Sequence, residues 1–198
     1  MKKLIVTLIL VLGSTNLFAD IQCGKGSWVF PPKFEGKILK VEIKGTCTLT
    51  TEGDLEKLKE FYIASMTDAP EVREVHNVND KDTFSEIPAT EIDSTIFNST
   101  DNGDLEIRFL THVGINQDRL LFNKESKEIL RATGNSKYLR KITEVLNISK
   151  TSEGFKVEIT SGTHLKMPKF FKKMALKEIK KTFPSMLKEI TSEIADNL

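Results

Sequence analysis

The stretch that decides the fold is MPKFFKKMALKEIKKTFPSMLKEITSEIADNL, at residues 167–198. Its apolar residues recur every three or four positions, which indicates a long helix with one buried stripe. The stripe consists of Ala175, Leu176, Ile179, Phe183, Met186, Leu187, Ile190 and Ile194. Pro168 suits the first turn of a helix, and Pro184 predicts a kink because proline removes a backbone hydrogen bond. A helix of about 30 residues is roughly 45 Å long, enough to lie across a curved sheet.

The helix stripe has two interpretations, which the sequence leaves open. Either the stripe packs as ordinary core, or it forms the roof of a cavity for an apolar ligand. Phe171 and Met174 lie off the main stripe. The first turn therefore has its own environment, which is either the rim of a pocket opening or a bend after the preceding strand.

The chain before this helix consists of strand-like segments and one short helical segment. Residues 39–50 alternate between apolar and polar side chains, which predicts a strand with one buried and one wet face. Thr51 and Asp54 resemble a capping box and begin a short helix that ends near Pro70. Further strand segments follow at residues 72–78, 91–98, 105–115, 119–123 with 127–133, 138–149 and 155–167. This order predicts an α+β fold with an antiparallel sheet of about seven strands, covered on one side.

The first 19 residues have the composition of a secretory signal peptide. Two lysines precede an apolar run at residues 4–12, and cleavage after Ala19 would begin the mature chain at Asp20. An uncleaved anchor and a lipoprotein are the alternatives, although a lipoprotein needs a cysteine directly after the cut and the nearest is Cys23. We expect export, with the bacterial periplasm as the first location to consider, and a single domain at residues 20–198.

The mature chain contains two cysteines, Cys23 and Cys47, which an exported protein can oxidise to a disulfide. The bridge would close a loop of about 25 residues and stabilise the fold by roughly 3–4 kcal/mol in the chain-entropy model. A structural role is favoured over a redox role, because the spacing is not Cys-x-x-Cys and Cys47 lies within a strand pattern.

Charge is unevenly distributed along the chain. Residues 52–106 contain 15 acidic and 4 basic residues, whereas residues 166–198 contain 8 lysines and 4 acidic residues. The basic helix is either a solvated surface or a surface that attracts an anionic membrane. We expect no nucleic-acid partner, because the compartment is wrong and no basic platform with interleaved aromatics is visible.

The residues that commonly carry chemistry are scattered. His76, His112 and His164 are isolated from one another, and no metal, cofactor or nucleophile motif occurs. The strand at residues 138–149 places Arg140 and Glu144 on one face. They either point into the interior, where they could bind a polar head group or act as acid and base, or a bulge leaves both in solvent.

The order of strand, short helix, further strands and long helix resembles the helix-grip fold of the START-like (SRPBCC) superfamily, which includes lipid-transfer domains and polyketide cyclases. The resemblance covers residues 38–197. It is carried by FKVEIT at residues 155–160 running into MPKFF at residues 167–171, and by TFP at residues 182–184. It implies a curved sheet that wraps around the C-terminal helix, with space for an apolar ligand between them.

The resemblance also implies which residues line the ligand site. These are Phe109, Val113, Ile142, Leu146, Val157, Ile159, Phe171, Met174, Ile179 and Phe183. The favoured function is an exported, non-catalytic carrier of a lipid or another hydrophobic small molecule, without a cofactor. One alternative is a cyclase-like, aromatase-like or isomerase-like enzyme that uses interior carboxylates such as Glu144. The other is a membrane- or protein-interaction module with a filled core.

Overall fold

The computed structural model describes residues 20–23, 28–29, 32–100, 103–168 and 171–198. The predicted signal peptide at residues 1–19 lies outside the described residues. The elements run in the order β1 (Asp20–Gln22), β2 (Trp28–Val29), β3 (Lys33–Glu35), β4 (Ile38–Thr50), α1 (Leu55–Thr67), β5 (Val72–Phe84), β6 (Ile87–Thr100), β7 (Gly103–Ile115), β8 (Arg119–Ala132), a 3-10 helix (Gly134–Tyr138), β9 (Leu139–Thr151), β10 (Gly154–Lys166) and α2 (Lys172–Asn197).

The seven long strands form one antiparallel sheet in the order β4-β10-β9-β8-β7-β6-β5, and the three short N-terminal strands all pair with β4. The prediction of about seven strands is confirmed for the long ones, and the N-terminal segment adds three short strands at β4. The segments 119–123 and 127–133 are one continuous strand, β8. With α1 after the first long strand and α2 at the end, this is the helix-grip α+β fold that the START-like resemblance implied.

β4 shows why one face of the sheet meets the helices. Its alternating apolar residues are at most 5% exposed, and the side chains between them face solvent. The buried residues are Leu39, Val41, Ile43, Cys47 and Leu49. Cys47 is bonded to Cys23, so the predicted disulfide is confirmed and ties the N-terminal segment to β4.

α2 packs tightly against β4 through its C-terminal part. A Cβ atom added at Gly45 would lie 2.8 Å from Leu187 Cδ1, so glycine permits this close approach. The backbone N–H of Asp54 also donates to the Leu198 carbonyl at 2.8 Å, which joins the end of α2 to the start of α1. By contrast, Ala175 and Leu176 are only half-buried and Met174 is 44% exposed. The C-terminal part of α2 is therefore covered more completely than its first turns.

Candidate functional site

A row of polar side chains crosses the otherwise apolar inner face of the sheet. The strand register pairs Ser161 on β10 with Glu144 on β9, Glu144 with Lys124 on β8, and Lys124 with Thr111 on β7. The row ends at buried isoleucines of β4 and β6. Because side chains alternate between the two faces of a strand, these four side chains share the face that the helices cover. We call Thr111, Lys124, Glu144 and Ser161 the polar row.

Lys124 follows Leu120 and Phe122 on the inner face of β8, where both apolar residues are at most 3% exposed. Its own exposure is 8%, and its Nζ lies 4.6 Å from the centre of the Phe109 ring. Such a cation–π contact offsets part of the cost of burying an ammonium group. Within the described ranges, Lys124 has no ion pair and no hydrogen bond from Nζ. Burial accordingly lowers the pKa of Lys124.

Two carboxyl groups face Lys124. Burial raises the pKa of Glu144, and burial together with the nearby Glu144 raises the pKa of Glu193 on α2 to about 7. Tyr62 on α1 completes the group, and burial raises the pKa of its phenol well above the ordinary value. The pKa of Lys124 is lowered while that of Glu144 is raised, because the loss of hydration outweighs the attraction between two groups that form no direct ion pair.

The polar row borders accessible space. Glu144 keeps part of its surface accessible although protein surrounds its carboxyl group, as expected for a residue that faces an enclosed space. Ser161, Ile142 and Thr163 lie beside it on the same face and are also only half-buried. Close packing would have covered these side chains completely. The inner surface of β9 and β10 is therefore less filled than that of β4.

Some buried side-chain oxygens near the polar row have no hydrogen-bond partner within the described part of the chain. The side-chain oxygens Thr111 Oγ1 and Ser94 Oγ are buried without a hydrogen-bond partner there. Lys124 also lines a small pocket of about 20 Å³ together with Glu71, whose buried Oε2 is likewise without a partner. Buried polar atoms in proteins are nearly always hydrogen-bonded, so these atoms are candidates to contact a bound polar group.

The ten residues predicted to line a ligand site fall into two groups. Seven of them are at most 2% exposed and belong to the closed core: Phe109, Val113, Leu146, Val157, Ile159, Ile179 and Phe183. Ile142 and Phe171 are half-buried, and Met174 is exposed. The accessible members thus lie on β9 and on the first turn of α2, outside the closed core.

Arg140 and Glu144 are separated by the structure. Arg140 is exposed, and its Nη1 donates to the carbonyls of Lys137 and Leu139 at 2.8 and 2.6 Å. Glu144 lies inside, opposite Lys124, which was not among the predicted site residues. The division of β8 at residues 124–126 placed Lys124 in a gap between strands. Continuous alternation through Leu120, Phe122 and Lys124 was the signal that could have revealed it.

Other kinds of site receive no support from the described residues. Among them, no group of three or more His, Cys, Asp or Glu side chains is arranged to hold a metal ion. His76 and His112 form hydrogen bonds with Thr95 and Glu91 on the outer face of the sheet, at 2.8 and 3.0 Å. Over the same ranges, no helix combines the length and apolar character needed to cross a bilayer.

No protein-family model and no curated protein sequence matches the chain. Solved structures with a similar fold include the di-domain ARO/CYC StfQ from the steffimycin biosynthetic pathway, with 13% identity and a TM-score of 0.43. The match covers 80% of this chain and 50% of StfQ, so the chain spans half the length of that protein. A STAR-related lipid transfer protein from Xanthomonas axonopodis has 10% identity and a TM-score of 0.45, with coverages of 85% and 99%. Human STARD10 has 8% identity and a TM-score of 0.42, with coverages of 86% and 74%.

Proposed function

We propose that the protein is a non-catalytic carrier of a lipid or another amphipathic hydrophobic molecule, held between the sheet and α2. The observation that carries this proposal is the polar row, with Lys124 and Glu144 enclosed in an apolar interior and not bonded to each other. Ligand pockets are mostly apolar and contain a few polar groups that fix the orientation of the ligand. An amphipathic ligand would place its polar head at this row.

The polar row is costly for the fold, which supports a role in binding. Replacing a buried charged group by an apolar one of similar volume is often neutral or stabilising. Lys124 therefore has no evident structural purpose, whereas a ligand head group with an acceptor atom would satisfy its Nζ. The apolar tail would follow the half-buried Ile142 and Thr163 towards the half-buried Phe171 at the start of α2.

Binding of a fluorescent amphiphile tests the carrier proposal. We expect the mature protein to bind dansyl-labelled undecanoic acid, with the dansyl emission rising on transfer from water. Lys124→Met should weaken this binding at least about tenfold, because a charge-assisted hydrogen bond contributes roughly 1.5–3 kcal/mol. Lys150→Met, at an exposed position of β9, is the matched control. If the wild-type protein binds neither the acid nor its methyl ester, the carrier proposal is wrong.

A second candidate function is catalysis by the interior carboxyl groups. Glu144 and Glu193 have raised pKa values and lie near the same lysine, as do acid–base pairs in enzymes. A cyclase-like or isomerase-like reaction would require Glu144 as acid or base. Glu144→Gln would then abolish turnover of a co-purifying ligand while the fluorescent acid still binds. Recovery of that ligand chemically unchanged after prolonged incubation with the wild-type protein would count against catalysis and support the carrier.

We also propose that the protein is exported to a bacterial periplasm. The N-terminal sequence and the Cys23–Cys47 disulfide support this location. Expression of the full chain in a bacterium, followed by fractionation and intact mass measurement, tests it. We expect an oxidised protein that begins at Asp20 in the periplasmic fraction. A full-length or reduced protein in the cytoplasmic fraction would contradict export.

The third part of the proposal is that the protein takes up and releases its ligand at an anionic membrane surface. Lys173, Lys177 and Lys181 on α2 are exposed, and the exposed Met174 lies among them. Basic side chains near an anionic surface each contribute about 1 kcal/mol of attraction. We expect co-sedimentation with phosphatidylglycerol vesicles that declines with salt and is lost in Lys173→Gln/Lys177→Gln/Lys181→Gln. Binding to pure phosphatidylcholine vesicles of equal strength, or no vesicle binding at low salt, would remove this part.

A further inference from the structure

The β8–β9 hairpin divides before it reaches its tip. The two strands are paired from Arg119 and Ser149 up to Glu125 and Thr143. Beyond this rung, β8 pairs only with β7 and β9 pairs only with β10. The last links between the strands are the Ile142 N–H, which donates to Ser126 Oγ at 2.9 Å, and an ion pair between Lys141 and Glu125. The sheet therefore contains a fork, formed by residues 126–132 of β8 and 139–142 of β9.

The tip of the hairpin is fastened to a third strand, which keeps the fork open. The Thr133 N–H donates to the Asp104 carbonyl at 2.9 Å, and the Asp104 N–H donates to Thr133 Oγ1 at 2.8 Å. Gly134 then has φ of 55°, a left-handed conformation that glycine adopts without steric cost, and begins the 3-10 helix. These contacts hold the start of the 3-10 helix beside β7, so the hairpin cannot close by simple pairing of its strands.

The fork contains a pocket of about 350 Å³ whose walls come from both faces of the sheet. Ser126, Ile129 and Leu139 belong to the inner face, where Ile129 and Leu139 contact the hydrophobic core. Lys127 and Arg140 line the same pocket and are exposed. Ser126 is two residues from Lys124 on the inner face of β8, a separation of about 7 Å along a strand. The pocket thus lies close to the polar row and opens at the protein surface.

The rim of the fork is basic. Lys127, Lys137 and Arg140 line the pocket with a single acidic residue, Glu128. Lys127 Nζ also contacts Asp93 Oδ2 at 3.1 Å, while Arg140 is held to backbone carbonyls. A basic rim attracts anions, and an attraction that acts only while the ligand passes the mouth speeds entry and exit alike. An apolar floor beneath such a rim fits a molecule with an anionic head and an apolar tail.

We propose that the fork is the portal through which an amphiphile with an anionic head, a carboxylate or a phosphate, enters and leaves the interior. This inference rests on the carrier function proposed above and adds a route and a ligand class to it. The basic rim captures the head group, and the apolar floor at Ile129 and Leu139 admits the tail. The bound molecule then lies beyond the rim, with its head at Lys124.

A portal changes the rates of binding and release without changing the affinity. Stopped-flow fluorescence with dansyl-labelled undecanoic acid and its uncharged methyl ester separates these quantities. In Lys127→Gln/Lys137→Glu, we expect association and dissociation of the acid to slow together by about tenfold at low salt, with little change in Kd or in the rates of the ester. Asp93 keeps two contacts with Arg108, at 2.7 and 2.9 Å, so this variant leaves no unpaired carboxylate.

A steric variant and a charge-matched control complete the experiment. Ala132→Trp should obstruct the pocket and slow both probes, whereas Lys44→Gln/Lys150→Glu, with the same charge change on exposed strand residues, should slow neither. Circular dichroism confirms folding, and either fork variant alone suffices for the test. Unchanged rates with intact binding would overturn the portal alone, as would a weaker Kd with an unchanged association rate. Failure of the wild-type protein to bind either probe would overturn the carrier function and the portal together.

Discussion

Glu193 links the stability of the protein to pH in a way that can be measured. Its pKa is raised from 4.5 to about 7, because burial and the nearby Glu144 disfavour the carboxylate. Between about pH 4.5 and pH 7, the Glu193 carboxyl therefore keeps its proton in the folded protein and loses it in the unfolded chain. As pH rises through this interval, the unfolded state loses protons first, so the free energy of unfolding falls. Below about pH 4.5 this loss is absent, and above about pH 7 it is complete.

The magnitude follows from the size of the shift. A difference of about 2.5 pKa units corresponds to roughly 3.4 kcal/mol. The Glu193 side chain is half-buried, and solvent screening at its exposed part reduces the expected effect to roughly 1–2 kcal/mol. Glu193→Gln removes the titration and keeps the shape of the side chain. We expect the variant to gain roughly 1–2 kcal/mol relative to wild type between pH 5 and pH 8.

Urea unfolding of the oxidised mature protein at pH 5, 6, 7 and 8 measures this gain. In thermal unfolding, the Tm difference between Glu193→Gln and wild type should grow by about 2–8 °C over this pH range. Glu189→Gln, at an exposed position one turn earlier on α2, is the matched control variant. If the free energies of unfolding of Glu193→Gln and wild type differ equally at pH 5 and pH 8, Glu193 does not face the polar row.

Three further predictions concern the core, the disulfide and the ligand. Phe183→Ala should lower the free energy of unfolding by about 3–5 kcal/mol, because Phe183 is 1% exposed. Met174→Ala, at an exposed position, should change it by less than about 0.5 kcal/mol. Similar urea midpoints for the two variants would contradict the burial of Phe183. Cys23→Ala/Cys47→Ala should lower the free energy of unfolding by about 3 kcal/mol and make it insensitive to reductant; continued sensitivity to reductant would show that the bridge is elsewhere. Dansyl-labelled undecanoic acid should bind more weakly at pH 8.5 than at pH 6, because Glu193 becomes anionic near the bound head group. Glu193→Gln should remove this pH dependence. An equal loss of affinity in the variant would exclude Glu193 as the cause.

The sequence alone determined the elements whose periodicity is local. Alternation at residues 39–50 identified β4 and its buried face, and three- and four-residue steps identified the buried residues of α2 from Ile179 to Ile194. The disulfide was also predictable, because Cys23 and Cys47 are the two cysteines of the chain. The strand and helix predictions depend on neighbours along the chain, which side-chain periodicity records directly. The disulfide prediction depends only on the number of cysteines.

Tertiary structure alone decided the candidate site. Lys124 and Glu144 face each other because β8 and β9 pair in one register, and a shift of one residue would send either side chain to solvent. Glu193 joins them only because the end of α2 packs across β4 and beside α1. The fork likewise arises because Thr133 forms hydrogen bonds with Asp104, which lies 29 residues earlier in the chain on β7. Register, helix placement and strand separation are set by contacts between distant residues, and the spacing of residues along one strand carries no record of them.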